Sequence, residues 1–87
     1  MKVGEFIDVS KRMVKEYVNR YVVQNEIEKI TKNEIVVINF SNDIDSYEIL
    51  LTTMGFGDLS YSVRYDKKED KLYSDLMFLK SNKKERR

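Results

Sequence analysis

The chain has no cysteine, histidine, proline, tryptophan or alanine, and only three glycines in 87 residues. Without cysteine there is no disulfide and no thiolate to act as nucleophile or metal ligand. Without histidine the usual general base near neutral pH is missing. No conventional triad can be assembled, and the hydroxyls of Ser10, Ser46, Ser60, Ser62 and Ser74 have only carboxylate or lysine to serve as a base. No apolar run is long enough to span a membrane. No short apolar stretch with a basic start and a small-residue cleavage site marks export, so a cytoplasmic, intracellular location is expected. The composition leans to Lys, Asn, Ile, Glu, Asp and Tyr, residues of AT-rich codons, which suits a low-GC bacterium, an archaeon, or one of their viruses or mobile elements.

What is present suits a folded protein. Hydrophobic residues make up 41% and charged residues 36%, too apolar and too regular for a disordered chain. The length allows one thin-cored domain, here residues 1–79, followed by a basic tail at 80–87. Net charge is +1 but unevenly placed: Lys80, Lys83, Lys84, Arg86 and Arg87 against Glu85 give the tail +4, and 11 basic against 14 acidic residues leave the body at −3.

From residue 3 to 22, Phe6, Val9, Met13, Tyr17 and Tyr21 recur at steps of three and four, which predicts a helix. Glu5, Asp8, Arg12, Lys15, Glu16 and Asn19 form its polar side, while apolar residues spread over roughly 220°, a wider arc than one sheet face needs. Residues 24–34 fit either a helical turn, with Asn25 and Glu28 as capping residues, or an edge strand ending in a turn at Lys32-Asn33; the strand is the favoured reading. EIVVINF at 34–40 is the clearest strand, being β-branched, aromatic and free of glycine. Residues 45–54 read as a strand on the Thr52-Thr53 pair and the turn-rich Ser41-Asn42-Asp43 before them, with a helix ending at Gly55 as the alternative. Gly55 to Asp58 then make a turn. Tyr61, Val63 and Tyr65 alternate with polar residues, Lys67 to Asp70 turn, and residues 72–79 return as a strand. The expected fold is α+β: an N-terminal amphipathic helix packed on an antiparallel meander of four or five strands.

Simple alternation puts Ile35 and Val37 on one side of the EIVVINF strand and Val36, Ile38 and Phe40 on the other. Both sides are apolar, so one helix cannot cover them. A second copy of the chain is expected to cover the remaining surface, with Tyr17, Tyr21 and Phe40 as outward-facing interface residues. A helix at 45–54 would instead complete a monomer.

The oxygen-rich run from Asn42 to Glu48 lacks the glycine and distant glutamate of a calcium loop and reads as a turn, and Met54-Gly55-Phe56-Gly57 lacks the Lys-Ser/Thr of a phosphate cradle. No metal and no cofactor is expected. The function class that remains is a non-enzymatic protein-binding module, expected to be a homodimer that occludes or bridges a macromolecular partner and suited to a virus or mobile element. The alternative is a nucleic-acid-binding regulator using Lys80, Lys83, Lys84, Arg86 and Arg87 to neutralise phosphates.

Overall fold

The computed structural model describes residues 1–22, 26 and 29–78. Helix α1 spans Val3–Tyr17 and continues as a π-helical turn over Val18–Val22. Its first turn is closed by the Lys2 backbone N–H donating to the Glu5 carboxylate at 2.8 Å. A 3₁₀ turn at Lys32–Glu34 leads into four strands: β1 (Ile35–Asn42), β2 (Ser46–Thr53), β3 (Phe56–Asp66) and β4 (Lys71–Phe78). They form one antiparallel sheet in the order β1-β2-β3-β4, so sequence neighbours are spatial neighbours throughout. The α+β class and the meander are as the hydrophobic patterns predict.

The helix packs on β1, β2 and β3. Phe6, Ser10, Val14 and Val18 are its most buried residues, spaced by four and therefore aligned in one ridge. Beneath them lie Tyr47, Ile49, Leu51 and Thr53 of β2 and Tyr61, Val63 and Tyr65 of β3, every second residue, as a strand with one buried face requires. Strict alternation along β2 leaves no room for the helical reading of 45–54, and the strand is present.

The opposite face of the sheet is mostly polar, with Leu50 of β2 and Val36 of β1 as its apolar members. Ser46, Glu48 and Thr52 on β2, Ser62, Arg64 and Asp66 on β3, and Lys71, Tyr73 and Asp75 on β4 occupy it in register. Arg64 lies over the Tyr73 ring at 5.2 Å and its guanidinium is 3.8 Å from the Asp66 carboxylate. The centre and β4 side of this face are stable against water. Strand β1 is apolar on both sides as expected, with Val36 exposed on this face beside Thr52.

Three expectations change. No fifth strand is present among the described residues of 24–34: residues 26 and 29–34 are all outside strands. The reason is local. Asn19 donates to the Ile30 carbonyl at 3.0 Å and accepts from the Ile30 N–H at 2.8 Å, occupying both groups that a ladder would use. The Thr31 N–H donates to the Glu34 carboxylate at 3.0 Å, half of a capping box six residues later than the expected Asn25 and Glu28 pair, both of which lie outside the described residues. The β2–β3 turn is at Met54-Gly55 rather than at 55–58, and Gly55 there takes the left-handed conformation, with φ 86°.

The third change is in β1. The register with β2 runs from Ile35↔Thr53 to Val37↔Leu51, then resumes at Asn39↔Leu50 and Phe40↔Ile49, so Ile38 is an extra, unpaired residue. One inserted residue reverses the alternation. Phe40 therefore shares the helix-facing side with Ile35 and Val37 instead of opposing them.

Candidate functional site

Strand β1 is an edge of the sheet, and its sequence from Ile35 to Asn42 holds no charged residue. Val36, Val37 and Ile38 are 42%, 37% and 49% exposed, three consecutive apolar residues, Val36 on the outer face, Val37 on the helix side and Ile38 at the bulge, where an edge strand ordinarily carries lysine or another charge. The opposite edge, β4, carries that protection in Lys71 and Asp75. The bulge arises at Asn39, whose side-chain oxygen accepts from the next backbone N–H, that of Phe40, at 3.0 Å. A local side chain to backbone bond of this kind competes with the ladder and bends the strand.

The three sequence-chosen aromatic residues separate. Phe40 is half-buried under the helix, its ring 6.2 Å from both Phe6 and Tyr47. It cannot also be an outward-facing interface residue. Tyr17 is half-buried, with its ring 6.2 Å from that of Tyr61 in an edge-on contact. Tyr21 is 67% exposed and leans on Tyr17 at 4.9 Å. Tyr21 thus stands free on the helix end and Phe40 on the sheet edge is occupied, so the three do not make one patch. Lys80, Lys83, Lys84, Arg86 and Arg87 lie outside the described residues.

The run from Asn42 to Glu48 holds one of the chain's own cations. The Lys67 ammonium donates to Asn42 Oδ1 at 2.9 Å and to the Asp43 carbonyl at 2.6 Å, and stands 4.6 Å from the centre of the Tyr47 ring. The β1–β2 loop is thereby tied to the β3–β4 turn. At that turn Asp66 accepts from the backbone N–H groups of Glu69 and Lys68, and these bonds hold its carboxyl below the ordinary carboxylate value. Asp8, on the outer side of α1, is held low by hydrogen bonds from Lys32 and Arg12.

The sequence named the β1 segment but missed the exposed trio on it, because period-two alternation assigned Ile38 and Phe40 to one face. The available signal was Asn39, a residue disfavoured in strand centres, set in the middle of an otherwise β-branched run. No helix among the described residues is long and apolar enough to cross a membrane. No protein family, curated protein or solved structure matches the chain.

Proposed function

We propose that the protein is a non-enzymatic binding module that pairs with a second copy of itself along β1, and that the joined sheet occludes or bridges a macromolecular partner. The observation that carries this reading is the uncharged edge strand with Val36, Val37 and Ile38 exposed on it. A two-fold axis across an antiparallel edge sets the same residues against each other from both copies, so the patch is its own complement. Backbone groups on the outer edge would continue the ladder, as in other forms of strand addition.

The chemistry left in the chain supports binding rather than turnover. Histidine and cysteine are absent, and the shifted carboxyl groups Asp8 and Asp66 are held down, away from the range a general acid requires. The alanine-free, AT-rich alphabet supports a viral or mobile-element origin and action in the cytoplasm.

Each of the three side chains is already more than half covered, so the gain on pairing is modest and a dissociation constant on the order of micromolar is expected. Light scattering across a concentration series tests this. The expected mass approaches twice the 10.4 kDa of one chain, and Val36→Lys with Ile38→Lys returns it to one chain without loss of secondary structure. A mass of one chain at high micromolar concentration overturns the dimer. Nucleic-acid shifts that weaken steeply with salt, and vanish when residues 80–87 are removed, would assign the function to the basic tail instead.

A further inference from the structure

The pairing proposed for β1 rests on its side chains, and the backbone of the same strand limits where a second copy can attach. In an antiparallel ladder, consecutive residues turn their N–H and C=O groups alternately towards one neighbouring strand and the other. The Met54 N–H donates to the Glu34 carbonyl at 2.8 Å, so Glu34 is turned towards β2. Val36, opposite Thr52 in the next step of the same register, is turned the same way, and Ile35 and Val37 therefore present their backbone groups to the open edge.

Two closures bracket that edge. On one side the Ile35 N–H donates to the Lys32 carbonyl of the 3₁₀ turn. On the other, past the bulge, the Phe40 N–H donates to the Asn39 side chain at 3.0 Å. Local bonds and bulges of this kind keep a sheet edge from adding strands. Between them lies Val37, with outward N–H and C=O groups that no described turn, cap or side-chain bond occupies.

We infer that two copies join β1 to β1 in one register, Val37 against Val37, an inference that deepens the self-pairing proposed above and rests on it. A hydrogen-bonded antiparallel pair exchanges both of its N–H···O bonds, and Val37 is the residue between the closures with both groups to give. The same register sets Val36 of each copy against Ile38 of the other on the outer face, so all three exposed apolar residues gain apolar neighbours. The neighbouring registers fail. Centred on Val36, the ladder calls on the occupied Ile35 N–H and lays Ile38 over Glu34; centred on Ile38, it runs through the bulge, where pairing is broken. The two-fold axis stands perpendicular to the sheet, so both helices lie on one side and the outer faces run on from one copy to the other.

The chain has no cysteine, so introduced thiols read the register directly. Val36→Cys and Ile38→Cys chains are mixed in equal amounts, mildly oxidised, and their products weighed by mass spectrometry. Facing residues bring their Cβ atoms to about 4.5–5.5 Å, close to what a disulfide needs, whereas like residues lie on the diagonal at about 7–8 Å. The mixed disulfide is therefore expected in about ten-fold excess over either homodisulfide, against about two-fold for random collision. A second readout needs no substitution: as the unmodified chain is concentrated through the micromolar range, amide exchange should slow at Val37 and stay unchanged at Ile35 and Phe40, whose N–H groups are bonded within the chain. With a dimer mass in light scattering, a predominant homodisulfide of either variant or an unprotected Val37 overturns this register and leaves the pairing standing. A mass of one chain at high micromolar concentration overturns both.

Discussion

The rings of Phe6 on α1 and Phe40 on β1 sit with their centroids 6.2 Å apart, which fixes Phe40 beneath the helix and leaves Ile38, two residues earlier, outside it. The two residues would share a face in a regular strand. Their separation follows from the bulge, so their energetic roles should differ sharply. Phe40→Ala is expected to cost about 2–4 kcal/mol by removing half-buried ring contacts, while Ile38→Ala should stay within about 0.5 kcal/mol in a monomeric reference state. Urea denaturation at low protein concentration measures both. Equal costs would mean that β1 runs without its bulge.

Asn19 gives a second prediction. Its side chain satisfies both backbone groups of Ile30, whose own side chain is 5% exposed in the core. Asn19→Ala leaves an N–H and a carbonyl unpaired in a part-buried position, and a loss of about 1–3 kcal/mol is expected. Amide exchange should show where the loss falls: faster exchange at Ile30, with the β2–β3 pairing unchanged. An unaltered Ile30 would show that water replaces the side chain without cost.

Much of the fold could be read from the residues because burial on one face leaves a periodic trace. Tyr47, Ile49, Leu51 and Thr53 announce a half-buried strand, and the polar series Glu5, Asp8, Arg12 and Glu16 marks the outer side of the helix. What could not be read depended on one residue each. A bulge changes two-fold alternation by a single inserted position, and only Asn39 hints at it. The segment before β1 looks strand-like because Ile27 and Ile30 are apolar, but a side chain eleven residues away captures the Ile30 backbone.

The titrating groups set limits on stability at both ends of the pH scale. The Tyr65 hydroxyl donates to the Asp70 carboxylate, a bond that holds the phenol up at about 12, and burial does the same for Tyr61. A folded-state value above the ordinary 10.0 means that the contribution is complete below 10.0 and is lost as pH rises towards 12. Asp8 and Asp66 have the opposite sign: held below 3.8, they contribute above it and lose that contribution as pH falls further. Stability should therefore be flat between these limits, with no transition near neutrality. Asp70→Asn keeps a residue that tolerates the φ of 56° at this position and removes the carboxylate charge, so the Tyr65 phenol should ionise at lower pH. Phenolate absorbance reports it, and an unchanged alkaline titration would refute the Asp70 assignment.

Lys67 and Lys68 stand side by side in the β3–β4 turn, and contact geometry predicts unequal consequences for them. Lys68 reaches the Asp45 carboxylate at 3.5 Å with its side chain 77% exposed. An ion pair so exposed contributes about 0–1 kcal/mol and is screened by salt. Lys67 makes two hydrogen bonds to the β1–β2 loop and covers the Tyr47 ring with its charge, and the Lys67 backbone N–H donates to the Asp45 carbonyl at 2.9 Å. Replacing its side chain by methionine keeps the apolar stem and removes two hydrogen bonds to exposed oxygens, which water then satisfies, together with the charge over the Tyr47 ring, and a cost of about 0.5–1 kcal/mol follows. Lys67→Arg should not restore the loss fully, because a flat guanidinium cannot direct two donors to these oxygens as a compact ammonium does. The same variants should separate in amide exchange, with Lys67→Met loosening the β1–β2 loop and Lys68→Met leaving it as it was. If the two methionine variants prove equally stable, the loop is held by its own strand pairing and the ammonium only occupies a site that would close without it.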